Sequence, residues 1–160
     1  MIEIILGRFT TIVSDADADL STETWFVNQR GYAVNNGPGR YGWQRMHRVV
    51  MARTLGRELG RWELVDHIDG DKLNNRRDNL RVCNNSENGF NRDLPAHNKT
   101  GYKGVSWNTY RDGPRPYQAA IVVNRRKRYL GSFATAEDAA RAYDEAARAV
   151  AGDFARGNLR

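Results

Sequence analysis

Of the three histidines in this chain, His47, His67 and His97, only His67 stands beside an acid, Asp66. An imidazole with an ordinary pKa near ~6.5 accepts a proton from water at neutral pH, which Lys and Arg do not readily do. The neighbouring carboxylate is a hard oxygen donor suited to Mg²⁺ or Mn²⁺, ions that keep several waters and take further oxygens from a phosphate. Hydrolysis of a phosphodiester needs such a deprotonated water and a positive charge beside the phosphate oxygens. The single cysteine, Cys83, allows neither an internal disulfide nor a Cys/His zinc cluster, so a metal here would be held largely by oxygen.

The elements around the pair have their own signals. Residues 1–45 read as short strands with turns: Ile4 to Val13, then Trp25-Phe26-Val27 and Tyr32-Ala33-Val34 joined as a hairpin through Asn28-Gln29-Arg30-Gly31. Asp15-Ala16-Asp17-Ala18-Asp19 lacks the glycine and closing glutamate of a calcium loop and is read as an acid-rich turn leading into a short helix. Met46, Val49, Val50 and Leu55 are spaced for one helical face, with an end near Gly56 or Gly60. An apolar strand then runs through Asp66-His67 into a Gly/Asn/Asp-rich loop, a second strand covers Leu80 to Cys83, and Asn84-Asn85-Ser86-Glu87 opens a helix carrying Asn88 and Asn91. Leu94 to Thr100, with Pro95, reads as a linker, and His97 within it receives no role.

The order strand, loop, strand, helix over residues 64–91 resembles the HNH nuclease family and its ββα-metal motif. The match is carried by Asp66-His67, Asn79 and Asn88, framed by Val65-Asp66-His67-Ile68-Asp69-Gly70 and Asn75-Arg76-Arg77-Asp78-Asn79-Leu80-Arg81. The resemblance implies that Asp66 and the Asn88 amide oxygen bind one divalent cation, Mg²⁺ or Mn²⁺, and that His67 activates water. It implies that Asn79 ties the loop to the strands and orients His67. Asp69 and Asp71 then lie beyond the ligand pair, as turn residues. Arg76, Arg77 and Arg81 are candidate phosphate contacts, with plain surface roles equally open. For His47 a core or DNA-contacting role is expected rather than a catalytic one.

Charge divides unevenly along the 160 residues. Lys and Arg exceed Asp and Glu by one in residues 1–60 and fall one short in 61–97, so residues 98–160 carry a net +6, including Arg125-Arg126-Lys127-Arg128. On charge alone that run could be a solvated turn or a nucleic-acid contact. Three strands, Gly104 to Asn108, Tyr117 to Asn124 and Lys127 to Phe133, are followed by a helix from Thr135, where Thr135-Ala136-Glu137-Asp138 forms a capping box, to about Val150. Ala136, Ala139, Ala140, Tyr143, Ala146, Ala147 and Val150 fall on one side at helical spacing, a small-residue face that would lie close on the sheet.

This segment resembles the plant ethylene-response-factor (APETALA-type) DNA-binding domain. The resemblance rests on Gly101-Tyr102-Lys103-Gly104-Val105, Tyr117-Gln118-Ala119-Ala120-Ile121, Tyr129-Leu130-Gly131-Ser132-Phe133 and the Thr135 to Asp144 stretch. It implies that Lys103, Ser106, Asn108, Gln118, Lys127 and Tyr129 face DNA, joined by Trp107, Arg125, Arg126 and Arg128. Ala120 and Val122 stand where plant domains carry an acid and an arginine, so contacts are expected mainly to phosphate.

The expected architecture is therefore α+β: an N-terminal β-rich region (1–45), an HNH nuclease domain (46–97) and a three-stranded antiparallel sheet with one packed helix (98–160). The expected partner is double-stranded DNA, cut in the manner of homing endonucleases of phages and bacteria. A non-catalytic DNA-binding regulator is the alternative. The apolar run Ile2 to Leu6 is broken by Glu3 and too short for a signal-peptide core or a membrane span, so a place in the cytoplasm of a bacterial or phage-infected cell is expected. A monomer is favoured, and the sequence leaves the oligomeric state open.

Overall fold

The computed structural model describes residues 1–37, 43–92, 94, 97–108 and 114–159. The linker residue Pro95 lies outside them. No helix among the described residues is long and apolar enough to cross a membrane. The chain forms two compact units, Met1–Asn84 and Asn85–Arg160.

In the first unit, β1 (Ile2–Leu6) and β2 (Phe9–Val13) form an antiparallel hairpin with Leu6 opposite Phe9. The apolar stretch from Ile4 is broken at Gly7, whose φ of +67° suits the first position of so short a turn. The acid-rich turn becomes a 3₁₀ segment over Asp15–Thr22 that buries Leu20 and Asp17. β3 (Phe26–Val27), β4 (Ala33–Asn35) and β5 (Gln44–Arg45) make a small antiparallel sheet. Its first turn is closed by Asn28, whose Oδ1 accepts from the Arg30 and Tyr32 amides at 2.9 and 3.1 Å.

Helix α1 (Met46–Leu55) stops at Gly56, which takes the left-handed conformation that a C-terminal glycine supplies without strain. Met46, Val50 and Met51 are buried, Val49 is half-buried, and Leu55, at the last turn, is 40% exposed. β6 (Leu64–His67), β7 (Asn74–Asn75) and β8 (Leu80–Cys83) follow. β6 pairs antiparallel with β8, whereas β7 adds to the N-terminal hairpin in parallel to β2, with Val13 opposite Asn75. One core joins Ile4, Leu6, Val13, Leu20 and Trp25 to Met46, Val50 and Leu80, so residues on both sides of position 45 pack together.

The second unit opens with α2 (Asn85–Asn91), which buries Phe90 against Ile121 and Ala147. β9 (Val105–Trp107), β10 (Tyr117–Val123) and β11 (Arg126–Phe133) form an antiparallel sheet with β10 central. α3 (Ala136–Ala151) begins at Thr135, whose Oγ1 accepts from the Asp138 amide at 3.1 Å. Ala139 and Ala140 are fully buried on the sheet, and a Cβ at Gly104 would come within 2.0 Å of the Tyr143 ring. Small residues on both surfaces allow that close approach.

Candidate active site

Strand pairing generates the first contact of the site. Asp66 on β6 lies opposite Arg81 on β8, on the same face of the ribbon. Arg81 donates from Nε and Nη2 to Asp66 Oδ2 at 3.1 and 2.9 Å, and Asp66 is 7% exposed. Asp66 is thus a buried carboxylate with a cationic partner within the fold.

After His67 the chain reverses at Gly70, whose amide donates to the His67 carbonyl at 3.0 Å and whose φ is +83°. Asn79 fastens this reversal. Its carbonyl accepts from the Ile68 amide, its Oδ1 accepts from the Asp69 amide, and its Nδ2 donates to Asp69 Oδ1 and the Asn74 carbonyl. Burial opposes ionisation of Asp69, but the Asn74 and Asn79 amides and the Asp71 backbone amide hold its carboxyl below the usual range. Asp69 and Asp71 both spend carboxylate oxygens on turn amides, at Asp71 and Leu73.

His67 is 4% exposed. Its ring centroid lies 5.1 Å from His47 and 6.1 Å from Tyr32, and His47 and Tyr32 are 5.0 Å apart. Burial pushes the His67 pKa down, opposed by the hydrogen bond to Asn75 and the charges of Asp69, Asp66 and Asp71. His67 is therefore neutral at neutral pH, the state a general base requires. Burial and the neighbouring His67 lower the His47 pKa further, and its Nδ1 has no hydrogen-bond partner among the described residues. Two cations border the cluster: Lys72 Nζ and Arg45 Cζ lie 5.0 and 5.6 Å from the Tyr32 ring centroid.

The defining pattern of HNH endonucleases matches residues 44–90. The chain is also similar to an uncharacterized HNH endonuclease of Acanthamoeba polyphaga mimivirus, 30% identical over 152 residues that cover 95% of this chain and 75% of the relative. The chain belongs to the HNH endonuclease family. It is accordingly a nuclease, a hydrolase of phosphodiesters. Protein 3.8 of Escherichia phage T7 is 46% identical over 48 residues, 30% of this chain and 40% of that protein.

Within this HNH endonuclease, the three arginines expected at phosphates all have carboxylates of their own. Arg76 pairs with Asp78, and Arg81 with Asp66. Arg77 makes a two-pronged pair with the fully buried Asp17, Nε and Nη2 lying 2.7 and 2.9 Å from its oxygens. A guanidinium fork matched to a carboxylate is strong and directional, so Arg77 first of all anchors the 3₁₀ segment to the motif loop.

Among the described residues no three His, Cys, Asp or Glu side chains cluster to hold a metal. A closed zinc-type cage is absent from them, and the oxygen donor of the motif strand is the carboxylate of Asp66. Such hard oxygens, few in number, fit an ion like Mg²⁺ that retains waters and takes substrate oxygens. Asn88 lies on α2, in the second unit, and is half-buried.

In the second unit, cross-strand register puts Ser106, Gln118 and Ser132 in one row and pairs Ala120 with Tyr129 and Val122 with Lys127, all on the face away from α3. Tyr129 and Val122 are 60% and 59% exposed. A bulge between Ala119 and Ala120 turns Leu130 inward onto the helix side. Arg125 occupies the β10–β11 turn with φ +64°, and Arg126, Lys127 and Arg128 are exposed. Trp107 is 53% exposed and packs edge-on against Tyr117 at 4.8 Å. Asn108 closes the end of the β9–β10 pair through its amide, which donates to the Pro116 carbonyl. Lys103 is turned into the unit, its Nζ donating to the carbonyls of Phe90, Arg92 and Arg156. Its ammonium organises the joint between α2 and the C-terminal segment.

Sequence reading did not single out Thr11, Tyr32 and Asn75. Thr11 carried a usable signal: alternation along β2 puts it on the same inward face as Val13, and a hydroxyl at a core position must find a partner.

Proposed function

We propose that this protein is a metal-dependent endonuclease of the homing type that cleaves double-stranded DNA, with His67 as general base. The observation that supports this reading best is the buried, neutral His67 next to Asp66 on the β6–β8 ribbon, inside the segment that matches the family pattern. His67 takes a proton from a water, the water oxygen bonds to phosphorus, and one P–O ester bond breaks, its oxygen gaining a proton from solvent. Asp66 and Asn88 would hold one divalent cation, Mg²⁺ or Mn²⁺. When bound, that ion supplies positive charge beside the phosphate oxygens. Asn79 holds the turn that follows His67, and Arg81 pairs with the carboxylate of Asp66.

The second unit carries five of the six net positive charges of the chain. In our reading it works as the ethylene-response-factor-like DNA-binding module. Ser106, Gln118, Lys127 and Tyr129 meet the duplex from the open face, the basic turn adds Arg125, Arg126 and Arg128, and Trp107 and Asn108 lie at the sheet edge. The phage source of the T7 relative fits a phage or phage-infected bacterial setting.

Plasmid cleavage by the purified chain with Mg²⁺ or Mn²⁺, and with EDTA, tests this. Activity should require the ion and fall about 10²- to 10⁴-fold in His67→Ala, with DNA affinity within a few-fold of wild type. Asp66→Ala and Asn88→Ala should lose the metal-dependent activity. Cleavage surviving EDTA would sink the metal assignment, and DNA binding with no cleavage under any ion would favour the regulator.

A further inference from the structure

The hydrogen bonds around His67 fix more than its position. Thr11 Oγ1 lies 2.7 Å from the Leu73 carbonyl and 3.8 Å from Met46 Sδ, and both of these can only accept. The single hydroxyl hydrogen is therefore directed to one of them, and toward Asn75 the oxygen can only accept. The Asn75 side-chain nitrogen, 2.8 Å away, must be the group facing Thr11. Asn75 then presents Oδ1 to His67 Nε2 at 3.2 Å, and a carbonyl oxygen there requires a hydrogen on Nε2.

All three side chains are shielded, with Thr11 and Asn75 at 0% exposure and His67 at 4%. Water is excluded as a substitute donor or acceptor, so reversing any link would leave a buried polar atom unsatisfied. The chain of bonds is held by the parallel pairing of β2 with β7, where Ile12 donates its amide to the same Leu73 carbonyl.

We propose that Thr11 and Asn75 are positioning residues that lock His67 in the Nε2–H tautomer, leaving Nδ1 as the nitrogen that takes the proton from water. This rests on His67 being the general base. When the proton moves from water to Nδ1, the resulting imidazolium keeps its Nε2–H on Asn75 Oδ1, and that bond becomes charge-assisted. The device stabilises the protonated form after the transfer and prevents Nδ1 from carrying a hydrogen before it.

The test uses the full chain with ¹⁵N-labelled histidine. Long-range ¹H–¹⁵N spectra of the metal-free protein, with His67 assigned by comparison with His67→Ala, should show the Nε2–H pattern in wild type and in Thr11→Ser, which keeps the hydroxyl. Thr11→Val removes the acceptor, allows Asn75 to turn over, and should populate the Nδ1–H form. Its kcat should fall by about 10²-fold with KM within about two-fold, and Thr11→Ser should keep activity. An Nδ1–H pattern for His67 in the wild-type protein would overturn the proposal without any variant. So would a Thr11→Val protein with both tautomer and kcat unchanged. If the tautomer responds as expected while His67→Ala still cleaves DNA, the lock stands and the general-base reading fails.

Discussion

The shortest helix of this HNH endonuclease offers the sharpest test of how the motif is held. α2 has seven residues, too few to be helical by itself, because helices shorter than ~12–15 residues are marginal in water. Its order must come from Phe90, which is 7% exposed and packs on Ile121 and Ala147, with Val123, Leu130 and Tyr143 around them. Phe90→Ala deletes the largest buried side chain of that cluster, and Phe→Ala changes in cores cost about 3–5 kcal/mol. The neighbouring cluster is built largely of alanines and has little volume with which to fill the gap. For a unit of this size, about 4–8 °C per kcal/mol converts the loss to a drop of roughly 12–40 °C in the melting of the second unit. The first unit, whose core is separate, should melt as before. Because Asn88 sits two residues earlier on the same helix, cleavage should fall although no reacting group was changed. Calorimetry of the full chain and plasmid nicking at 20 °C measure the two effects, and Phe90→Leu should restore most of both. A Phe90→Ala protein with an unshifted second transition, or with full cleavage, would refute the argument that this packing orders the helix.

Binding and chemistry separate best by charge substitution in the intact chain, because deleting residues 98–160 would also remove Ile121 and Ala147 from Phe90. Replacing Arg125, Arg126, Lys127 and Arg128 by Gln should flatten the salt dependence of DNA affinity by about 0.9 in log–log slope for each phosphate the turn no longer neutralises, so by at most about 3.6. Equal slopes would retire the basic turn as a DNA-binding element. A third expectation concerns acid stability. Burial holds the His47 pKa well below 6.5, so protonation favours the unfolded chain; the stability tied to neutral His47 is present above about pH 6.5 and is lost as the pH falls toward the depressed folded value. His47→Leu removes a ring whose Nδ1 has no partner among the described residues, and the difference in melting temperature between pH 7.5 and pH 5 should narrow. An unchanged difference would show that His47 does not contribute to acid destabilisation.

Signals that act over a few residues were legible before any coordinates. The Thr135 cap and the Gly56 stop of α1 both depend on neighbours within one or two turns of chain. The Asp66-His67 strand end could be read for the same reason. What was not legible depends on pairings distant in sequence. Nothing near Asn74-Asn75 announces that it will run parallel to β2, so the 64-residue link from Asn75 to Thr11 had no local trace. Lys103 shows the same limit from another direction. Its place in a resemblance pointed outward to DNA, but three carbonyls converge on its ammonium, and a hydrogen bond to a charged donor is stronger than one between neutral groups. Arg77 likewise reads as a free cation until the fold brings the buried Asp17 to it.

These distant pairings bear on how much chain the active site needs. The family pattern begins at residue 44, yet two of the groups that give His67 its properties, Thr11 and Tyr32, come from before it. Tyr32 lies tilted against both histidines, and in the proposed lock Thr11 decides which nitrogen of His67 carries hydrogen. The low pKa of His67 comes first from burial, and the core that closes around the motif includes Ile4, Leu6, Val13, Leu20 and Trp25. Without the N-terminal strands the motif would keep Asp66, His67 and Asn79 in sequence, but His67 would face water, titrate near ~6.5 and sample both tautomers. In the mechanism proposed here the strands of residues 1–35 are therefore part of the catalytic machinery, because they supply the shielded, directional surroundings in which the histidine acts as a base with one defined nitrogen.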